Sequence, residues 1–347
     1  MARSETFLAC NCSSILLPED GTLYGLSRVS SVSIRYSLAV CLSFVLLMGL
    51  AGNFLMFLVL ADSLRGSPSD ISVITSLLML NVSVFDMVFL FYDVSVMLFA
   101  FISEDWQLGE TVCISSQSIS TWAMCCGFYS MVATSVLRYL VVVHPTHSFS
   151  CTPCLRLLLL SCTWILGFVI SIPNWMHQKL VTFGGHQHCV FCMTQPQILL
   201  YFAVFFGVAF LPFLLLMVGC YWEIIWFLWC RGDRAIHAES FLQKNRQVTS
   251  KILTIVVIFV VMWIPYWVMT FLLANHSLPP NPVVFVILNL AVLLAYSNCC
   301  VSPLIFFGFS DRTRLQLKKI FRLKFHRNDV GRSQTCRIEI AVRATSE

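Results

Sequence analysis

Charged residues are scarce in this chain. Of its 347 residues, only 11% are Asp, Glu, Lys or Arg, whereas 58% are hydrophobic. Soluble domains carry about 25% charged residues, and a water-soluble fold of this composition would expose large apolar patches. The composition therefore predicts a polytopic membrane protein.

The sequence also lacks the patterns of several functional classes. It contains no HExxH motif and no visible nucleophile–base pair, so we expect no enzyme, no catalytic residue and no metal centre, and we expect no nucleic-acid partner. The first thirty residues include Arg3, Glu5, Glu19 and Asp20 and no long apolar run. We therefore expect no cleavable signal peptide.

Seven apolar stretches are each long enough to cross a hydrocarbon core of about 30 Å. They predict an all-α membrane fold, a seven-transmembrane helix bundle over 33–310. An amphipathic eighth helix is predicted at 311–324, because apolar and basic residues alternate there. Residues 1–32 and 325–347 are predicted to be an extracellular and a cytoplasmic tail. The predicted spans are about 33–61, 71–101, 112–142, 155–175, 196–229, 247–274 and 283–308.

The basic residues are distributed unevenly between the two predicted membrane faces. Arg3, Arg28, Arg35 and Lys179 fall on one side, and the other eighteen Lys and Arg residues fall on the other. By the positive-inside rule, we expect the N-terminus to be outside and the C-terminus to be cytoplasmic. We expect this multi-pass protein in the plasma membrane. The glycosylation sequon at Asn11 needs this exterior location.

The third span, which leads from Cys113 to Pro145, is the most informative stretch. Twenty-five residues separate Cys113 from Arg138, which corresponds to about 37 Å along a helix, so the two residues are predicted at opposite membrane faces. The Ser, Gln and Thr side chains of this span predict a place inside the bundle. An Arg in such a segment is costly and indicates a function.

The arrangement of Cys113, Arg138-Tyr139 and His144-Pro145 resembles the third helix of rhodopsin-like G-protein-coupled receptors. Leu137 departs from that pattern, since the family usually has Asp or Glu there. The segment LAYSNCCVSP in the seventh span most resembles galanin-type and related peptide receptors. The resemblance implies a receptor for an extracellular peptide or small molecule, surrounded by membrane lipids, that signals to heterotrimeric G proteins, with the Gi/o class favoured.

The resemblance also implies a disulfide between Cys113 and a cysteine of the second outer loop. Cys189 and Cys192 are the two candidates, and the HQHC context and the family's loop lengths favour Cys189. Such a bridge would hold the loop over the pocket mouth.

The outer half of the bundle is expected to hold the ligand. Asp93 lies seven residues, or two helical turns, from Asp86, and it either contacts a ligand or forms a structural ion pair. Ser120 stands where aminergic receptors have Asp and Tyr296 where opsins have the retinal lysine, which argues against a monoamine and against a Schiff base. The predicted pocket residues are Asp93, Gln117, Ser120, Met124, Tyr266, Trp267, Thr270 and Tyr296.

A polar core is predicted deeper in the bundle, at Asn53, Asp86, Asn298 and Ser302. Asp86 is either a hydrogen-bond partner of Asn53 or, by resemblance, part of a sodium site. Gly127 and Ser302 stand where the family often has Ser and Asn, so two oxygen ligands are missing or weakened. No other cofactor is expected.

The resemblance assigns the activation switches. Leu137 cannot hold Arg138 inward as an acid would, so ligand-free signalling is expected, and Asp at this position is expected to reduce it. Tyr221 is one residue past the family's helix-five Tyr position, so either a bulge corrects the offset or that Tyr function is lost. The assigned switches are Leu137, Arg138, Tyr139, Phe259, Trp263, Pro265, Pro303 and Phe306.

Two other functions remain open at this point. His177, His186, His188 and His276 are all predicted outside, and histidine titrates near neutral pH, which allows a proton- or metal-sensing receptor. The altered switches allow a non-signalling seven-helix scaffold or decoy receptor.

Overall fold

The computed structural model describes residues 32–66, 70–103, 106–144, 152–183, 186–231, 239–275, 281–308 and 313–320. Asn11, His276, nearly all of the N-terminal tail and the C-terminal tail lie outside the described residues. The same applies to the ends of the predicted eighth helix, at 311–312 and 321–324.

Seven long helices follow one another in the described chain, and each contains a stretch long and apolar enough to cross a membrane. Two of them contain π-helical turns. Helix α2 has one at Leu90–Val94, and helix α5 has two, at Phe205–Phe210 and Phe227–Arg231. The bounds are α1 Val32–Arg65, α2 Asp70–Ile102, α3 Gly109–Val143, α4 Pro153–His177, α5 from Gln195–Val204 through Leu211–Trp226 to Arg231, α6 Glu239–Ala274 and α7 Pro282–Gly308.

The predicted spans are confirmed to within a few residues, apart from the start of α6. That helix begins at Glu239, eight residues before the predicted 247, because the polar residues ahead of the apolar run continue the helix. Residues 313–320, here called α8, are helical and lie inside the predicted 311–324. The Thr313 hydroxyl donates to the Phe306 carbonyl at 3.0 Å and so joins α8 to the end of α7.

Helix α3 is the centre of the bundle. It packs against α2, α4 and α5, whereas α1 packs between α2 and α7, and α6 packs against α7. In the most apolar window of α3, 56% of the residues are buried, compared with 17% in α4. The side chains that α4 exposes, such as Leu157, Ile165 and Val169, are apolar and suit contact with lipid.

The polar side chains of α3 are accommodated within the protein, as the sequence predicts. Several Ser and Thr hydroxyls donate to the carbonyl four residues earlier, a bond that satisfies a hydroxyl without a partner helix. Examples are Ser118 to Ile114, Ser130 to Cys126 and Thr134 to Ser130, at 2.7–2.8 Å. This helix can therefore be polar and still lie within an apolar bundle.

A chain of side-chain hydrogen bonds connects α4, α2 and α3. Trp164 Nε1 donates to Asn81 Oδ1 at 2.9 Å, and Asn81 Nδ2 donates to Ser130 Oγ at 2.8 Å. Interhelical bonds of this kind are about 0.6–2 kcal/mol each in a membrane. The chain helps to fix the rotation of α4, together with other bonds to α3 such as those from Asn174 Nδ2 to Thr121 Oγ1 and from Trp122 Nε1 to the Trp164 carbonyl.

Close packing holds α1 against α7 and α2. A Cβ added at Gly52 would lie 2.9 Å from Pro303 Cγ and 3.0 Å from Pro303 Cβ, and one added at Gly49 would lie 2.6 Å from Leu90 Cδ1. The Pro303 ring is rigid and belongs to the α7 backbone, whereas Leu90 Cδ1 is the end of a flexible side chain. Gly52 is therefore the less tolerant of the two positions.

We expect Gly52→Ala to destabilise the folded protein by about 1–3 kcal/mol, the usual cost of overpacking a core. The measurement is thermal unfolding of the purified protein. Gly219→Ala is the matched control, because Gly219 is exposed on α5 and an added Cβ meets nothing within 4 Å; it should be neutral or gain up to about 1 kcal/mol of helix propensity. Equal unfolding temperatures for the two variants would contradict the prediction.

Candidate ligand pocket and its link to the opposite end

A β-hairpin lies across one end of the bundle, called here the hairpin end. Strand β1, Gln178–Phe183, pairs antiparallel with β2, His186–Phe191, and Leu180 is opposite Cys189. Cys189 is bonded to Cys113 near the start of α3, with an S–S distance of 2.02 Å. The opposite end, called the Arg138 end, contains the other terminus of α3.

The structure decides between the two candidate partners of Cys113. Cys189 is the partner, and Cys192 is disulfide-bonded elsewhere. The hairpin is joined to the α4 end as well, because the Cys192 amide donates to the His177 carbonyl at 2.8 Å. The loop is thus held at α3 and at α4, which fixes its position over the bundle.

Two of the histidines considered for sensing are neighbours on β2. The His186 and His188 ring centroids are 6.4 Å apart, and His188 is buried. Within the described residues, there is no group of three or more His, Cys, Asp or Glu side chains that could hold a metal ion.

Asp93 is held by the π-helical turn of α2 and is only 4% exposed. Gln117 Nε2 donates to Asp93 Oδ1 at 3.3 Å, and the Tyr296 hydroxyl lies close enough to the carboxyl group to interact with it. Ser120 Oγ approaches it without reaching hydrogen-bonding geometry. Four of the predicted pocket residues, on α2, α3 and α7, therefore meet at one carboxyl group.

The remaining predicted pocket residues continue from this group across α6. Tyr266 lies close enough to Asp93 to interact with its charge, and it hydrogen-bonds Thr270. The Tyr266 and Trp267 rings are 5.8 Å apart. The structure thus brings the predicted residues together as one continuous surface, except for Met124, which lines the adjoining aromatic cavity.

An aromatic cavity, which the sequence did not predict, adjoins this surface between α3, α5 and α6. Trp267 is 5.5 Å from Phe205 and 5.6 Å from Phe210 between ring centroids. The π-helical turn of α5 supplies both phenylalanines. The cavity is lined by Met124, Cys125, Phe128, Phe205, Ala209, Phe210, Phe259, Trp263 and Trp267.

The polar core differs from the predicted pairing of Asn53 with Asp86. Asn53 Nδ2 donates to the carbonyls of Gly49 and Cys299, at 2.9 and 2.8 Å, and Asn53 Oδ1 has no partner. Asp86 instead hydrogen-bonds the Cys299 side chain. The alternative in which Asp86 pairs with Asn53 is not observed, because the Asn53 amide nitrogen donates to the carbonyls of Gly49 and Cys299 instead.

Below the polar core, an apolar cavity separates it from the Arg138 end. Ser302 lines this cavity together with Met56, Met79, Val82, Met131, Thr134, Ser135 and Val256. Asn298 lies one residue before Cys299 and is half-buried. Ser302 therefore lines the cavity beneath the Asp86 carboxyl group.

The Arg138 end is stabilised by contacts other than an acid next to Arg138. Leu137 is buried against Ile74 and Leu78, with Ala133, Leu155, Leu159 and Leu160 packed around them. Arg138 Nε is buried without a hydrogen-bond partner. Tyr139 points elsewhere, and its hydroxyl lies 3.1 Å from His144 Nε2.

Tyr221 takes an inward position next to Arg138. It is 1% exposed, Ser135 Oγ donates to its hydroxyl at 3.2 Å, and it lies close enough to Arg138 to interact electrostatically. Tyr221 faces inward without a bulge around it, because α5 is a regular helix from Leu211 to Trp226 and both π-helical turns of α5 lie outside that range.

The predicted switches Phe259 and Trp263 of α6 form an aromatic row with Phe128 of α3. Phe128 stacks on Phe259 at 5.5 Å, and Phe259 is 5.9 Å from Trp263. Pro265 lies inside α6 and Pro303 inside α7, where a proline removes a helix hydrogen bond and permits a bend. Phe306 packs on Phe307 at 5.2 Å.

The family model of the seven-transmembrane receptors of the rhodopsin family matches residues 52–306. The chain belongs to this family. It is a G-protein-coupled receptor of the rhodopsin type, and its helices form a multi-pass membrane bundle.

Individual relatives cover most of this receptor at low identity. Galanin receptor type 1 of Mus musculus is 28% identical over 311 residues, which is 88% of this chain and 86% of that protein. The Homo sapiens galanin receptor type 1 is 27% identical over the same length. Melanin-concentrating hormone receptor 1 of Rattus norvegicus is 26% identical over 280 residues, which covers 79% of this chain and 77% of the relative.

The polar core of this rhodopsin-family receptor offers few oxygen ligands to a sodium ion. Gly127 contributes no side-chain oxygen, and the Cys299 side chain already hydrogen-bonds Asp86. Hard cations are held by several oxygen ligands. The donor set therefore does not fit a sodium site of the usual composition.

Proposed function

We propose that this receptor binds an extracellular peptide at the hairpin end and activates G proteins of the Gi/o class at the Arg138 end. The observation that carries the proposal is the continuous surface beneath the hairpin, where Asp93, Gln117 and Tyr296 meet. Buried polar groups converging in an otherwise apolar bundle are typical of ligand sites.

The orientation rests on charge and on the bridge. The excess of Lys and Arg in the segments beside the Arg138 end indicates a cytoplasmic location by the positive-inside rule. A disulfide at the hairpin end suits an oxidising exterior. A ligand on α3 at Gln117 would thus act on the same helix that presents Arg138 to the cytoplasm.

The ligand class and the Gα class rest on the relatives. The galanin receptor and the melanin-concentrating hormone receptor resemble this chain over most of its length. Their similarity to this receptor supports a peptide hormone as its ligand and Gi/o as the class of G protein that it activates.

The test is a G-protein dissociation assay in cells, run against each Gα class without ligand and with galanin and melanin-concentrating hormone as probe peptides. We expect ligand-free dissociation of Gi/o at low amplitude, which Arg138→Ala abolishes at equal surface level. Dissociation of another class alone would overturn the Gi/o assignment. A receptor that reaches the surface and activates no class would favour the scaffold or decoy function.

A further inference from the structure

The deepest polar group of the candidate pocket is a carboxyl group with only neutral partners. Asp93 is nine-tenths buried, and the side chains around it are an amide, two phenols and a serine hydroxyl. Among the described residues, no Lys or Arg lies near enough to act on its charge. A buried carboxylate without a cation is costly.

Arg35, one of the few basic residues predicted at this end of the bundle, is engaged elsewhere. Arg35 Nε and Nη2 both donate to the Phe101 carbonyl, at 3.2 and 3.1 Å. This guanidinium therefore binds the end of α2 and leaves the charge of Asp93 uncompensated from that side.

Unpartnered polar groups surround the same surface. Ser120 Oγ, Trp263 Nε1 and Trp267 Nε1 are buried and have no hydrogen-bond partner. Buried polar atoms are nearly always paired in proteins, so one such atom next to the carboxyl group and two on α6 tryptophans that pack on Tyr266 indicate a missing molecule. The irregular turn that carries Asp93 agrees with this, since π-helical turns occur frequently at functional sites.

The aromatic side chains around Asp93 suit an organic cation. Tyr296 and Tyr266 both lie within reach of the carboxyl group, and Trp263 is 5.4 Å from Tyr266. Aromatic faces attract ammonium and guanidinium groups. Beyond them lies the aromatic cavity at Phe205, Phe210 and Trp267, which is apolar but only about the size of one water molecule, so an apolar group enters it by displacing these side chains.

We propose that this pocket recognises a ligand carrying a guanidinium or ammonium group next to an apolar group, with the cation paired to Asp93 and the apolar group in the aromatic cavity. The proposal rests on the proposed function in placing the ligand at the hairpin end. For a peptide, the recognised unit is a basic residue beside an aromatic or aliphatic one. The carboxylate that pairs with the cation is on α2, while the α3 position facing it is Ser120.

The test uses purified full-length receptor in nanodiscs and needs no G protein, so its failure is distinct from a failure to signal. The probes are 3-phenylpropylguanidine and its neutral isostere 3-phenylpropylurea, and binding is read from the shift of the unfolding temperature. We expect the guanidine to bind with a dissociation constant of about 1 mM, as for a small fragment. The urea should bind at least about tenfold more weakly, since it lacks the charge.

Four variants locate the cation. Asp93→Asn should abolish the preference for the guanidine. Gln117→Lys should abolish it too, because it supplies an internal cation next to a retained Asp93, and it keeps the test valid if Asp93→Asn fails to fold. Glu110→Gln, which removes an exposed acid at the start of α3, and Asp86→Asn should both retain the preference.

Three outcomes would overturn the proposal. The first is equal binding of the two probes to the wild type, or no binding of the guanidine. The second is a preference that survives Gln117→Lys. The third is a preference lost in Asp86→Asn and kept in Asp93→Asn, which would place the cation in the polar core.

Discussion

Leu137→Asp should lower the amount of receptor at the cell surface by at least about tenfold. Leu137 is 4% exposed and packs on Ile74 and Leu78 between α2, α3 and α4. A carboxylate there is buried in an apolar cluster, at a cost of several kcal/mol when it has no partner, and about 1.4 kcal/mol is already tenfold in a folding equilibrium. Surface labelling and thermal unfolding of the solubilised receptor measure the effect.

Two substitutions at the same position separate the possible causes. Leu137→Met conserves volume and polarity, so it should cost less than about 1.5 kcal/mol. Leu137→Asn has the size of Asp without its charge, and it should lie between the two. The sequence predicts that Asp here lowers ligand-free signalling by holding Arg138. Wild-type surface level together with that lowered signalling would mean that Arg138 turns to pair with the acid, and the burial argument would then be wrong.

Loss of the Cys113–Cys189 bridge is the second large expected effect. The bridge spans 76 residues, and in the chain-entropy model a loop of this length corresponds to about 4 kcal/mol. We expect Cys113→Ser and Cys189→Ser each to reduce surface level and ligand response strongly. Peptide mapping without reduction should find the two cysteines joined in the wild type.

The double variant provides the sharper test of this bridge. Because the two sulfurs act as one unit, Cys113→Ser with Cys189→Ser should be no worse than either single change. Cys162→Ser is the control, since Cys162 is an exposed free thiol on α4, and it should behave as the wild type. An additive double variant would indicate that each cysteine acts separately.

The helices and their order could be predicted because they depend only on the length and apolarity of a segment. Each of these properties is determined by a short stretch of sequence, so the predicted bounds of α1 to α5 and α7 lie within a few residues of the observed bounds. The start of α6 at Glu239 was missed, because polar residues continue a helix beyond the membrane without any change in apolar pattern. Cys189 could be selected by resemblance, whereas spacing alone left Cys192 open.

The irregular turns and the buried partners could not be predicted. A π-helical turn adds one residue to a helical turn, as it does at LFYDV in α2. The pattern of apolar residues in LFYDV does not differ from that of a regular helix. Likewise, the direction of the Asn53 amide depends on how closely α7 approaches α1, which is set by the contact of Gly52 with Pro303. Tyr221 is a third case, since it lies next to Arg138 on a regular part of α5, although it is one residue past the position at which an inward tyrosine is expected.

The bond from Asn53 to Cys299 also sets an order of events during synthesis. The two residues are 246 positions apart, so at about 5–20 residues per second a ribosome needs about 12–50 s to pass from one to the other. During that interval the Asn53 amide has only the Gly49 carbonyl of its own helix, and an unsatisfied polar group in hydrocarbon is costly. The Asn53 amide nitrogen therefore gains its bond to the Cys299 carbonyl only when the last helix arrives. In a chain that stops before α7, the Asn53 amide nitrogen lacks this second bond. The unpaired polar group then distinguishes the incomplete protein from the complete one.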